Sequence, residues 1–323
     1  MSTALVTGGN GYLGTWLAAD LLRRGRQVRA VLRSTEAEAH VREALQRADV
    51  EDAGLVAVIS ALVDDNRWTD ALDGVEEIYH LASPMHYGSD PEQIVAPARD
   101  AALRVLGAAR DAGARRVVMT SSFAAIRYSP KAVRDYTEDD WTDPDTPGLA
   151  PYPLSKTVAE LAAWDFVQRE GGDLELVVIN PTFIAGPTLT RQVRSSLAFF
   201  KALLEGTMTA VPRQRFGVAD VRDVAALHIA AMETPEAAGK RYLALADGPT
   251  ITYHDIAVLL RDRLGPLTQH VTLEQVPGDD PPPLTIHNDR AKQELRLQPR
   301  PVETTLAQTV QSMNELGLLE LPT

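Results

Sequence analysis

A doubly wound, parallel α/β sheet with a smaller C-terminal cap is the fold this sequence predicts, on two observations. The chain opens with a strand, a glycine turn and a helix in immediate succession. Apolar, strand-like runs then alternate with helical stretches of 10–18 residues as far as residue 181. Nearly continuous apolar strands between helices indicate a parallel sheet covered on both faces. Right-handed crossovers then wind it both ways from the centre, which places a ligand crevice at the carboxyl ends of the strands.

The elements follow in order. Ala4-Leu5-Val6 leads into Thr7-Gly8-Gly9-Asn10-Gly11-Tyr12-Leu13-Gly14, and residues 15–24 continue as an amphipathic helix. Glycines permit the tight turn and let main-chain N–H groups and the helix N-terminus approach a pyrophosphate. The spacing G-x-x-G-x-x-G is one residue longer than the common dinucleotide fingerprint. Residues 27–32 form the second strand and end on Arg33. A charged helix spans 36–47, a third strand 55–59 and a fourth 77–82, followed by a Pro-, Ser- and Gly-rich loop. A long helix over 94–112 ends at Gly113, and the fifth strand is 116–120. Residues 127–150 make a polar connection, 153–170 a helix and 174–179 the sixth strand. Beyond 181 the pattern weakens. Helices are expected near 193–205, 221–233, 253–264, 288–295 and 302–316, a short strand at 241–245, and a Pro-rich surface loop at 277–283. The expected division is a nucleotide-binding domain over 1–181, to which 216–247 returns. Segments 182–215 and 248–323 mainly build the substrate-binding cap and the C-terminal helices.

Bulk composition narrows the function. The chain has 323 residues, 45% of them hydrophobic, and a net charge of −12, which argues against a nucleic-acid or anionic-membrane surface. Residues 1–47 nonetheless carry seven Arg against four Asp or Glu, so the nucleotide end is locally basic. There is no cysteine, hence no disulfide, thiol nucleophile or Cys-ligated zinc. The seven histidines show no metal-binding spacing. No signal peptide or membrane span is visible, and a cytoplasmic protein is expected.

Two further stretches carry chemistry. In Tyr152-Pro153-Leu154-Ser155-Lys156 the Tyr and Lys lie four apart, on one helix face. An ammonium beside a phenol favours the phenolate and lowers its pKa from about 10, so Tyr152 could give a proton to a carbonyl oxygen or take one from an alcohol. Thr120-Ser121-Ser122 ends the fifth strand, where a hydroxyl could hold the substrate oxygen against the tyrosine.

The glycine loop, the serines and Tyr-x-x-Ser-Lys, in this order, resemble the extended short-chain dehydrogenases/reductases of the NAD-dependent epimerase/dehydratase superfamily. The resemblance covers nearly the whole chain and is strongest to the dihydroflavonol 4-reductase-like and bacterial aldehyde reductase branch. His80-Leu81-Ala82-Ser83-Pro84, Tyr152 to Glu160, residues 180–187 and Asp220-Val221-Arg222-Asp223-Val224-Ala225 also carry it. It implies a Rossmann domain and a Ser122, Tyr152, Lys156 triad. Ser122 orients the carbonyl, Tyr152 is the acid/base, and Lys156 binds the nicotinamide ribose and lowers the tyrosine pKa. The second serine of the pair is chosen because the family's catalytic serine stands there. The implied cofactor contacts are Gly8, Asn10, Gly11, Tyr12 and Leu13 in the loop, then Leu81, Ala82, Ser83, Thr120, Tyr152 and Lys156. Pro181, Ile184 and Ser196 serve the nicotinamide end or the phosphates.

At the end of strand 2, where NAD-specific sheets place Asp or Glu, stands Arg33. A guanidinium pairs with a 2′-phosphate and gains nothing from NAD, so NADP(H) is expected; the resemblance implies the same, with His40 or Arg42 as a second contact. The chain departs from the family pattern in four places. Ala61-Leu62 replaces Asp-Leu, which leaves only the apolar adenine contact of Leu62. Ala101-Ala102-Leu103-Arg104 replaces Gly-Thr-x-Asn, so any proton relay must be built differently. Arg127 stands where flavonoid-reducing relatives read ring hydroxyls, and bulky Phe123 follows Ser122.

Candidate pocket residues are Met85, His86, Tyr87, Phe123, Ile126, Tyr128, Phe183, Phe199 and Phe200, an apolar and aromatic set suited to a hydrophobic carbonyl or alcohol substrate. Lys201 and Arg213 are polar exceptions if they face it. The expected activity is reversible NADPH-dependent reduction of an aldehyde or ketone by a monomer or homodimer. The rivals are a nucleotide-sugar epimerase or dehydratase, which needs a polar, basic cap, and a non-catalytic NADP-binding regulator.

Overall fold

The computed structural model describes residues 2–60, 68–83 and 92–321. The first half runs β1 (Thr3–Thr7), α1 (Tyr12–Arg23), β2 (Gln27–Leu32), α2 (Thr35–Arg47), β3 (Leu55–Ile59), α3 (Trp68–Leu72), β4 (Glu77–His80), α4 (Glu92–Asp111) and β5 (Arg116–Thr120). A 3-10 turn over Phe123–Ala125 leads to β6 (Asp135–Tyr136), α5 (Pro151–Arg169), β7 (Glu175–Pro181) and β8 (Phe183–Ala185). The remainder is α6 (Ser196–Leu204), β9 (Arg215–Phe216), β10 (Val218–Asp220), α7 (Val221–Glu233), β11 (Arg241–Ala244), β12 (Ile251–Thr252), α8 (Tyr253–Leu264), β13 (Thr285–Ile286), α9 (Asp289–Leu295) and α10 (Val302–Glu315).

Seven strands pair in the order β11-β7-β5-β4-β1-β2-β3, and every pairing is parallel. The order reverses between β1 and β4, which opens the crevice there. The strands are apolar on both faces because both are covered. Residues of α1, α2 and α7 pack on one face, and residues of α3, α4 and α5 on the other. A third cluster forms the cap, where Phe200, Leu203 and Leu204 of α6 meet Ile256 and Leu260 of α8 and Leu306, Val310 and Met313 of α10. Short two-stranded ladders, β8 with β10, β9 with β12 and β6 with β13, tie cap and sheet together.

The structure moves three expected boundaries. β4 ends at His80 rather than residue 82, because the Leu81 and Ala82 amides donate to the Thr7 hydroxyl, both at 3.1 Å. α6 begins at Ser196 because Ser195 takes φ +50°, outside helical space. α9 belongs with the nucleotide-binding layer rather than the cap: its Ala291 and Leu295 are buried in the core that holds Tyr242 of β11 and much of α7. Among the described residues no helix is long and apolar enough to cross a membrane.

Candidate active site

The cofactor end is built by the loop between β1 and α1. Gly8 adopts φ +71°, and a Cβ on it would lie 3.1–3.3 Å from Ala82, two residues beyond β4. A Cβ on Gly14 would lie 2.1 Å from the Gly8 carbonyl oxygen, so only glycine lets the first turn of α1 pack beneath the loop. The Thr7 hydroxyl accepts from the Leu81 and Ala82 amides, so its own proton goes to His80 Nδ1 at 2.9 Å. Two adjacent strand ends are thereby stapled at the switch point. Asn10 and Gly11 line the turn and are half-buried, and Leu13 is in the core. The Tyr12 phenol donates to the Gly186 carbonyl, and burial with Asp220 nearby holds it protonated, well above its ordinary range. What Tyr12 offers the crevice is its main chain at the N-terminus of α1.

Arg33 follows β2 and is exposed, without a partner among the described residues. Arg42 is not available as a second contact, because it is bound to Glu38 and Asp52 at 2.7–3.0 Å. His40 sits half-buried on α2. Leu62, with Met85, His86 and Tyr87, lies outside the described residues.

At the centre of the crevice the Tyr152 hydroxyl donates to Ser122 Oγ at 3.3 Å, although 29 residues separate them. Ser122 caps the 3-10 turn by accepting from the Ala124 amide at 3.1 Å. Tyr152 is 43% exposed, open to the cleft. Lys156, one turn further along α5, is only 9% exposed and has no hydrogen-bond or ion-pair partner among the described residues. Burial lowers its pKa to about 8, partly offset by the Glu160 carboxylate. His80, close enough to feel that ammonium, is pushed down to about 4, chiefly by burial, and is neutral.

Neighbouring predicted contacts divide. Ala82 and Ser83 stand beside the glycine loop, Pro181 ends β7, Ile184 lies on β8 and Ser196 opens α6. The Thr120 side chain, at the end of β5, is bound to α7. His228 Nδ1 donates to the Val224 carbonyl at 2.7 Å, so its Nε2 accepts the Thr120 hydroxyl proton, also at 2.7 Å. Burial holds His228 neutral, with a pKa near 4.

Across from the Ser122 loop the cap carries an aromatic cluster. Phe183 stacks 4.8 Å from Phe216, and Tyr253 lies 4.5 Å from Phe199 and 4.6 Å from Phe216, centroid to centroid. Arg127 binds the Ser122 loop to it, donating to the Arg215 carbonyl at 3.0 Å while its guanidinium covers the Tyr128 ring at 4.9 Å. Other expected pocket residues are elsewhere. Phe123 and Ile126 are core, packed with Tyr136, Leu243, Leu245 and Leu284, and Phe200 is fully buried in the cap. Lys201 is spent on Glu205 and the Leu318 carbonyl, and Arg213 on Val276, Gln275 and Asp280. Among the described residues no group of three or more His, Cys, Asp or Glu could hold a metal ion.

Compared with known proteins, residues 4–244 match the NAD dependent epimerase/dehydratase family. The chain belongs to that family, among its extended short-chain dehydrogenases/reductases. Cinnamoyl-CoA reductase 1 of Petunia hybrida is 34% identical over 98% of this chain and 94% of its own. Dihydroflavonol 4-reductase of Zea mays is 29% identical over 99% and 91%. The crystal structure of Gre2 from Candida albicans in complex with NADPH superposes with a TM-score of 0.83 at 26% identity, covering 98% of this chain and 99% of that one.

Within this family fold, some residues that shape the site carry no local sequence signal. Phe216 and Tyr253 reach the aromatic wall only because β9 pairs with β12. Glu160, Asn180 and Arg241 come together behind Ser121 and Ser122 from α5, β7 and β11. Of these, Glu160 alone had a readable cue, being one turn beyond Lys156 on the same helix face.

Proposed function

We propose that this chain is an NADPH-dependent carbonyl reductase acting on hydrophobic, aromatic aldehydes and ketones. The observation that carries this reading is the Ser122–Tyr152 contact at 3.3 Å, one turn from a buried Lys156 ammonium without a partner among the described residues. A buried cation without a partner is costly, and a ribose hydroxyl would complete it.

The residues present fit a nicotinamide dinucleotide. Gly8, Asn10, Gly11 and the amides of Tyr12 and Leu13 would take the pyrophosphate, and Leu81, Ala82 and Ser83 the ribose side. Pro181, Ile184 and Ser196 would border the nicotinamide end. Arg33 offers a guanidinium and no carboxylate where the adenosine ribose would lie, which favours a 2′-phosphate. NADPH is the ligand named for the Gre2 relative. The cofactor supplies the hydride.

The chain's own residues then handle the oxygen. Ser122 accepts from the Ala124 amide and keeps its proton for the substrate carbonyl. Tyr152 gives its phenolic proton to that oxygen as negative charge develops on it. Lys156, charged and desolvated, lowers the cost of the phenolate that remains. Phe183, Phe199, Phe216 and Tyr253 would receive the apolar part of the substrate.

The test is NADPH oxidation against aromatic and aliphatic aldehydes, ketones and a dihydroflavonol. Tyr152→Phe is expected to lower turnover by about 10²–10⁴-fold, the usual share of a general acid, with NADPH binding retained. Unchanged turnover in Tyr152→Phe would overturn the assignment. Turnover of UDP-sugars, with none on any carbonyl, would move the chain to the epimerase class.

A further inference from the structure

Behind Ser121 and Ser122 lies a buried polar assembly that none of the preceding roles uses. Glu160, two turns beyond Tyr152 and one beyond Lys156 on α5, is completely buried. Its Oε2 accepts from Ser121 Oγ at 2.5 Å and from Asn180 Nδ2 at 2.8 Å. Its Oε1 accepts from Arg241 Nε at 2.6 Å. Asn180 Nδ2 also donates to the Ser122 carbonyl at 3.2 Å, so both its protons are used and its orientation is fixed by chemistry. Arg241 reaches on to the Glu138 and Asp140 carbonyls at 2.7 and 2.8 Å and lies 3.6 Å over the Trp141 ring.

We propose that Glu160 is the positioning residue of the active site, anchoring Ser121, holding the main chain of Ser122 through Asn180, and standing one helical turn beyond Lys156 as its opposing charge. The proposal rests on the reductase reading above and adds to it. The paired serines divide the labour. Ser122 is extended, at φ −163° and ψ 152°, so the two side chains point to opposite sides. Ser121 turns inward to Glu160, which leaves Ser122 Oγ outward at Tyr152.

For Lys156, Glu160 is the opposing charge that acts among the described residues. His80, on β4, is neutral. The serines and the 3-10 turn bring no charge, and Arg241, on β11, lies beyond Glu160 and is bound to it. On α4, which packs along α5, Arg99 pairs with Asp100 and Arg110 with Asp111. Burial favours a neutral amine, and the Glu160 carboxylate acts in the opposite direction, towards the ammonium. An interaction that needs the ammonium is present at low pH and lost as pH rises through the lysine pKa. Removing Glu160 must move that loss to lower pH.

The experiment is NADPH binding followed by fluorescence from pH 6 to 10, which needs no substrate, on wild type, Glu160→Gln, Glu160→Asp and Lys156→Met. Wild type is expected to lose affinity on the alkaline side, and Lys156→Met to erase that step. Glu160→Gln should shift it down by about one pH unit or more, the scale set by a neighbouring opposite charge, and Glu160→Asp should largely restore it. A step that Lys156→Met erases but folded Glu160→Gln leaves in place overturns this inference alone. An alkaline step that survives Lys156→Met overturns the Lys156 assignment beneath it. If Glu160→Gln does not fold, Ser121→Ala decides: kcat should fall about 10-fold with NADPH affinity unchanged, and a wild-type kcat overturns the anchoring role.

Discussion

The two ends of the crevice are built in opposite ways. The cofactor end is made of consecutive residues: a strand, a glycine turn and a helix within the first 23, with Arg33 a strand later. Its geometry is enforced by main-chain contacts, such as the Gly8 carbonyl beneath Gly14. The proposed substrate end gathers Phe183, Phe199, Phe216 and Tyr253 from four separate segments through ring contacts, with Arg127 stacked on Tyr128 and bridging to Arg215. Main-chain packing tolerates almost no change, whereas a wall of side chains can be remodelled one ring at a time. A fold that keeps the first and varies the second can change substrate without losing its cofactor.

Substitutions can break or sharpen that contrast. The largest effect is expected from Gly14→Ala, whose Cβ would meet the Gly8 carbonyl oxygen at 2.1 Å. Overpacking usually costs about 1–3 kcal/mol, and here the obstacle is main chain that cannot swing aside. A fall of several degrees in Tm and loss of NADPH binding should appear in thermal melts and titrations. A variant that binds NADPH normally would show that the cofactor end is less rigid than its packing implies.

Next is Arg33→Ala. Charge-assisted hydrogen bonds contribute about 1.5–3 kcal/mol, so NADPH affinity should fall about 10–100-fold while NADH affinity stays the same. An equal loss for both cofactors would make Arg33 a structural residue instead of a reader of the 2′-phosphate.

The smallest effect belongs to the aromatic wall. Phe199 is half-buried and meets Tyr253 at 4.5 Å. Phe199→Leu removes a ring contact of about 0.5–1.5 kcal/mol, so KM for an aromatic carbonyl should rise about 2–10-fold, with kcat and NADPH affinity preserved. A collapse of kcat would mean that the wall positions the reacting carbonyl and does more than hold the substrate's apolar body.

The sequence by itself determined the α/β class, the glycine loop, the place of Arg33 after β2, and the four-residue spacing of Tyr152 and Lys156 on one helix. Each is a local pattern: strand and helix periods, a turn that requires glycine, and a four-residue helical spacing. Choosing Ser122 over Ser121 came from family resemblance. The physical reason for the difference between them, a carboxylate 39 residues away taking the Ser121 hydroxyl, is tertiary. Phe123, Ile126 and Phe200 looked like pocket residues because composition does not distinguish an aromatic in the core from one at a cleft, and the structure buries all three. The Thr120 side chain bonds His228, and Arg42 bonds Glu38 and Asp52, partners that only folding supplies. α9 left the cap for β11 and α7 because burying Ala291 and Leu295 required that surface. Hydrogen-bond partners and apolar neighbours far apart in sequence are chosen when the sheet is assembled, and they decided which side chains face the crevice.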